Sequence, residues 1–97
     1  MAKFDLYPFN GGLVVDLQAD IIDIPGSRVV APVFPEDEMP PVTPWLHPQV
    51  TIDGERFVVA THLLAATPEA ALRAPIGSLR DFQDELTRSI DTLFFGF

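Results

Sequence analysis

Three carboxylates fall close together at Asp16, Asp20 and Asp23. Short-spaced acids are what a hard divalent cation requires, because calcium and magnesium collect oxygen ligands from several side chains at once. Here the spacing runs across a strand end and a turn, where successive side chains point to different faces, and no fourth ligand stands beside them. Solvated strand-end carboxylates are the simpler reading. His47 and His62 have no neighbouring nucleophile, and a histidine outside such a pattern reads as a polar surface or core residue. Ser27, Ser78 and Ser89 lie in no G-x-S-x-G setting, and the chain has no Gly-rich phosphate loop. No catalytic residue, metal site or cofactor is therefore assigned, and the chain does not read as an enzyme.

The apolar residues offer more. Ile21 and Ile22 are adjacent, β-branched and bracketed by acids, so a strand cannot turn both into one core; at least one is a candidate for exposure unless a local bulge buries the pair. The sequence closes on Phe94-Phe95-Gly96-Phe97. Aromatic side chains gain little in water, so this cluster either docks on the chain's own core or meets another molecule.

Composition narrows what that molecule is. Fourteen acidic against six basic residues in a chain of 97 give a net charge of −8. A phosphate backbone is bound chiefly by Lys and Arg, so direct nucleic-acid binding is excluded and a basic protein surface is favoured. An apolar fraction of 47% suits one globular domain, with no apolar run long enough to span a membrane. No signal-peptide pattern follows Met1-Ala2-Lys3, and no cysteine is present, which together lead us to expect a cytosolic protein without disulfides.

The elements that position these residues begin as strands. Phe4 to Phe9 and Leu13 to Gln18 flank Asn10-Gly11-Gly12, whose residues accept positive φ, and so form a hairpin. Pro25-Gly26 marks a turn, and Arg28-Val29-Val30-Ala31 is a strand that Pro32 stops. From Phe34 to Pro48, Pro35, Pro40, Pro41, Pro44 and Pro48 forbid a helix and most ladder pairing, predicting an extended loop or edge. Within it, Glu36-Asp37-Glu38 reads as a solvated acidic turn. A second hairpin turns at Asp53-Gly54, between a strand from Gln49 and a return strand Arg56 to Thr61. Leu63 to Ala71, interrupted by Thr67-Pro68, is another short strand and a turn.

One helix closes the pattern. Ser78, with Asp81 three residues on, is spaced as an N-cap, and Leu79, Phe82, Leu86, Ile90 and Leu93 recur at helical spacing. The other face carries Arg80, Asp84, Glu85, Arg88 and Asp91, with Asp84 and Arg88 placed for an i, i+4 ion pair. Gly96 is the natural stop. Phe95 lies about 200° around the helix from Leu93, so Leu93 and Phe94 anchor the tail and Phe95 is left to reach a partner. Strands followed by one late helix make an α+β domain, mostly β, with a barrel-like antiparallel sheet.

The segment Val15-Asp16-Leu17-Gln18-Ala19-Asp20-Ile21-Ile22-Asp23-Ile24-Pro25-Gly26-Ser27-Arg28 resembles the signature of the CcdB family, the toxin half of a toxin–antitoxin pair. The carboxyl end agrees, since that family closes on an aromatic pair, a glycine and a bulky apolar residue after its only long helix. The similarity runs in order from about Leu13 to Phe97, through Leu46-His47-Pro48 and the Asp53-Gly54 turn, and is least in the Pro-rich loop. It implies a single CcdB-like domain over 1–97, with an SH3-like barrel, a small accessory sheet and a C-terminal helix, assembled as a homodimer. It further implies a non-enzymatic, cytoplasmic toxin that binds the DNA gyrase A subunit and traps gyrase on cleaved DNA, neutralised by a CcdA-like antitoxin. Carried over by position, the gyrase-binding residues are Ile21, Ile22, Asp91, Phe94, Phe95, Gly96 and Phe97. The chain departs from the family at several of these places: Phe95 stands for the usual tryptophan, Arg88 and Asp91 for asparagines, Ala19 for a serine and Phe97 for an isoleucine. Two alternatives stand beside the gyrase poison. One is a non-toxic module keeping antitoxin binding and operon autoregulation, and the other is a hydrolase using Asp16, Asp20 and Asp23 around a metal.

Overall fold

The computed structural model describes residues 2–22, 25–41 and 43–96. Strands β1 (Asp5–Phe9) and β2 (Gly12–Asp16) form the first hairpin, β3 (Ser27–Pro35) follows, and β4 (Gln49–Ile52) with β5 (Glu55–Val59) forms the second. Then come β6 (Ala65–Pro68), the two-residue β7 (Gly77–Ser78) and the helix α1 (Gln83–Phe95). Both hairpins turn on two residues with positive φ, Asn10 and Gly11 in one and Asp53 and Gly54 in the other. That is the backbone a type I′ turn demands, and it matches the twist of the strands it joins.

Among the described residues all the pairings are antiparallel, in the order β4-β5-β3-β2-β1-β7, with β6 also paired to β3. β3 is the hinge of this arrangement. One edge pairs with β2; the other pairs with β6 through Ser27–Val30 and with β5 through Val33–Pro35. The split makes the sheet curl into a half barrel, the mostly β, α+β architecture expected.

Pro32 was expected to end β3, yet the strand runs through it. Its carbonyl accepts a hydrogen bond from Ala60 N–H at 2.9 Å, so its missing N–H faces the interval where β6 has ended and β5 has not begun. A proline is tolerated there because no ladder bond is lost. β2 stops at Asp16 and β5 at Val59, two residues short of the expected limits in each case.

Adjacent apolar residues such as Leu6-Tyr7, Val14-Val15 and Val30-Ala31 are all buried, which explains why the early strands lack clean alternation. Both faces of the sheet are covered. Leu6, Val15, Ala31 and Val33 pack with Leu79 and Leu86 under the helix, while Tyr7, Val14 and Val30 pack with Leu72 on the other face.

The helix begins later than its sequence signature. Ser78 belongs to β7, and its hydroxyl accepts from Arg80 N–H at 3.1 Å, closing a short turn that precedes a 3-10 segment at Arg80–Phe82. No side chain caps α1 itself, but Asp84 and Glu85 lie in its first turn, where the helix dipole favours negative charge. Leu86 and Ser89 are fully buried, and Phe82, Ile90 and Leu93 are partly so. Ser89 O–H donates to Leu86 O at 2.7 Å and accepts from the hydroxyl of Thr61 at 2.8 Å, so the helix is tied to the turn Thr61–Leu63 through satisfied buried hydroxyls.

The Pro-rich segment, expected to be extended from Phe34, instead keeps Phe34 and Pro35 in β3 paired with β5 and then runs through turns at 36–38 and 44–46, anchored on both sides. Glu36 pairs with Arg56 at 3.1 Å, while Asp37 and Glu38 are exposed. Near its end, Leu46 and His47 N–H groups bond to Thr43 O at 3.0 and 2.8 Å. Thr43 N–H donates to His47 Nδ1 at 3.3 Å, which leaves the proton on Nε2 to be donated to His62 Nδ1 at 2.9 Å. A second proton on His47 would have to sit on Nδ1, where it would face the Thr43 N–H donor. Burial, and then the neighbouring His62, hold the buried His47 below the ordinary imidazole value. Between that lowered value and the free-imidazole pKa of about 6.5, the unfolded chain thus binds more protons than the folded one. Urea unfolding across pH should show the wild type losing stability relative to His47→Gln as pH falls through that value. A difference between the two that does not change with pH would contradict the assignment.

Candidate functional site

Of the three acids weighed as ligands for a cation, Asp16 and Asp20 are engaged by different partners. Asp16 is fully buried and accepts at Oδ2 from Arg28, with Nε at 2.8 Å and Nη2 at 2.6 Å. Asp20 is exposed, and its Oδ1 accepts from Lys3 N–H at 2.6 Å. Asp23 lies outside the described residues. Among the described residues no group of three or more acidic, histidine or cysteine side chains could hold a metal ion. The solvated-carboxylate reading also fails for Asp16, which is a buried ion-pair partner.

That ion pair frames the apolar loop. Asp16 Oδ1 accepts from Gln18 N–H at 2.9 Å, so both carboxylate oxygens are occupied. Gln18 in turn spans the segment: its Oε1 accepts from Val29 N–H at 3.2 Å and its Nε2 donates to Ile22 O at 2.9 Å. Ile22 N–H closes back on Ala19 O at 3.0 Å. The chain from Leu17 to Ile22 is therefore held by fixed polar contacts, and its two isoleucines are left outside, Ile21 89% and Ile22 45% exposed. The bulge that would bury them does not occur.

Burial raises the Asp16 carboxyl above the ordinary carboxylate range, against the opposing pull of Gln18 N–H and Arg28. Desolvation outweighing attraction is the usual balance of a buried ion pair. What such a pair supplies is position, here of the strand ends that launch and receive the Ile21-Ile22 loop.

The second group of site residues lies at the end of α1. Asp91 is exposed, and Phe94 and Phe95 are 62% and 67% exposed. Phe94 was expected to anchor the tail and is exposed, whereas Leu93 is partly buried as expected. Counting about 100° per residue, Leu86, Ser89, Ile90 and Leu93 share the core-facing side, and Asp84, Arg88, Asp91 and Phe95 share the opposite one. Gly96 follows with φ +79, its N–H bonded to Thr92 O at 2.9 Å, and nothing lies within 4 Å of where its Cβ would stand. A left-handed glycine ends the helix without covering Phe95, and any other residue there would be strained. Phe97 lies outside the described residues.

Arg88 does not pair with Asp84 as its spacing suggested. Its guanidinium carbon sits 4.8 Å from the ring centre of Trp45, a residue of the Pro-rich loop that no sequence pattern singled out. Composition held one hint, since Trp45 is the only tryptophan. Nothing local ties it to a residue 43 positions away on the helix. Asp16, Gln18 and Arg28 were missed for the same reason, as their partnership exists only across the β2–β3 ladder.

The structure thus brings Asp91, Phe94, Phe95 and Gly96 together at one helix end and holds Ile21 and Ile22 on a separate, braced loop. Exposed aromatic and branched apolar side chains on rigid supports are the chemistry of protein docking.

Removing one partner of the buried pair should be far worse than removing both. Arg28→Met should cost about 3 to 5 kcal/mol of unfolding free energy, because it strands a buried carboxylate, whereas Asp16→Leu with Arg28→Met should recover most of it. Urea denaturation of the single and double variants checks this, and equal losses in both would contradict it. In a scan against protein-family models, residues 3–96 match the one described as CcdB protein.

Proposed function

The chain belongs to the CcdB family, and on that premise we propose that it is the toxin of a type II toxin–antitoxin pair that poisons DNA gyrase. It acts by binding the gyrase A subunit and holding gyrase on cleaved DNA, and a CcdA-like antitoxin neutralises it. It works in the cytoplasm as a homodimer, which presents the helix end and the isoleucine loop in duplicate to a partner that is itself dimeric.

The observation that carries this reading is the exposed, braced apolar surface at Ile21, Ile22, Phe94 and Phe95. Exposed side chains of this size are costly in water unless a partner covers them, and both groups rest on supports that fix them before binding. The net charge of −8 agrees with a basic protein surface on the partner and opposes contact with the DNA. Asp91 adds a negative group beside the tail, and Phe95 offers an aromatic face to a cation. No catalytic step is required of any residue, because trapping an enzyme on its intermediate needs only tighter binding to that state than to the ones that follow it.

Incubating the protein with gyrase, supercoiled DNA and ATP should accumulate cleaved DNA, and Phe95→Ala should reduce that accumulation by tenfold or more, about 1.4 kcal/mol of binding. Undisturbed gyrase turnover at saturating protein would contradict the reading. Antitoxin binding without cleavage would leave a non-toxic interaction module in its place.

A further inference from the structure

The surface beside the tail is not made by α1 alone. Trp45 stays 57% exposed although the turn that carries it is pinned by the Thr43, His47 and His62 contacts. Its ring meets Arg88 at 4.8 Å, and Arg88 lies on the same helix side as Phe95. Trp45, Arg88, Thr92 and Gly96 line one shallow pocket of about 450 Å³. Gly96 leaves that pocket open, and the Thr92 hydroxyl is already committed to Arg88 O at 2.8 Å. The exposed acids Asp84 and Asp91 share the helix side, so the surroundings are negative.

We propose that Trp45 and Arg88 extend the gyrase-binding surface, with Trp45 a contact residue for the gyrase A subunit beside Phe95 and Gly96. This rests on the gyrase reading above. Tryptophan and arginine are the residue types that most often carry the binding energy of an interface. Stacking on Arg88 fixes the indole before contact, which lowers the ordering cost of association. The acidic setting suits a basic partner surface, and continuity with the tail through Gly96 places both under the same partner. The Pro-rich loop thereby gains a purpose, since its prolines and its histidine contacts hold one large side chain against the helix end.

The test uses surface plasmon resonance of the gyrase A subunit over the full chain, with Trp45→Ala, Arg88→Gln and Phe95→Ala beside the wild type. Trp45→Ala should weaken binding about tenfold or more, and Arg88→Gln by less, since it only loosens the indole. Because Trp45 is the sole tryptophan, 5-fluorotryptophan labelling gives a single fluorine resonance, which should shift when unlabelled gyrase A is added. Wild-type affinity in Trp45→Ala, or a fluorine resonance unmoved at saturating gyrase A, overturns the proposal while leaving the gyrase reading intact. If Trp45→Ala does not fold, the fluorine shift of the wild type decides alone. Failure of the wild-type chain to bind gyrase A would instead remove the reading on which the proposal rests.

Discussion

The buried ion pair between Asp16 and Arg28 is the constraint from which the shape of the Ile21-Ile22 loop follows. A carboxylate with no solvent exposure cannot be left without partners, and each of its oxygens is occupied, Oδ2 by the guanidinium and Oδ1 by Gln18 N–H. Those partners lie on both sides of the loop that joins β2 to β3. Satisfying the charge therefore closes the loop's base, and Gln18 carries the closure outward to Ile22. With Asp16, Gln18 and Arg28 engaged with one another at the base, Ile21 and Ile22 are left outside it, 89% and 45% exposed. Their exposure is a consequence of how a charge was buried.

The helix end is governed by a different but parallel division of faces. Ser89 and Leu86 commit one side of α1 to the core, and the 100° step per residue then assigns Phe95 to the other side. The glycine that follows stops the helix without supplying a side chain to cover the aromatic ring. What does approach this side is Trp45, carried on a turn closed by Leu46 and His47 N–H on Thr43 O and fixed by the histidine bridge before the return to β4. Two rigid frameworks, one electrostatic and one apolar, thus place large apolar side chains in water. A net charge of −8 helps keep a chain with such exposed groups in solution, because like charge opposes nonspecific aggregation.

Much of this was legible in the residues. Asn10-Gly11 and Asp53-Gly54 marked both hairpins because a type I′ turn has few other solutions. The spacing of Leu86, Ile90 and Leu93 fixed the buried helix side, and with it the exposure of Phe95. Adjacent branched residues between acids correctly marked Ile21 and Ile22. The failures share a cause, which is partnership across sequence distance. Asp16 looked like a solvated strand end because nothing near it in sequence revealed Arg28. Pro32 looked like a strand end because the gap between β6 and β5 exists only in three dimensions. Ser78 has a capping residue's chemistry and caps a shorter turn than expected. Phe94 was assigned to the anchor by its neighbour Leu93, although at 100° from it the core does not reach that side.

If the braced isoleucine loop and the helix end act as one surface toward gyrase, both must be covered in the same complex. Hydrogen–deuterium exchange of the full chain, with and without the gyrase A subunit, reads both places in one measurement. Amides of Leu17 to Ile22 and of Asp91 to Gly96 should be protected together when gyrase A is bound. Protection confined to one of these segments, or absent from both under saturating conditions, would contradict a shared surface.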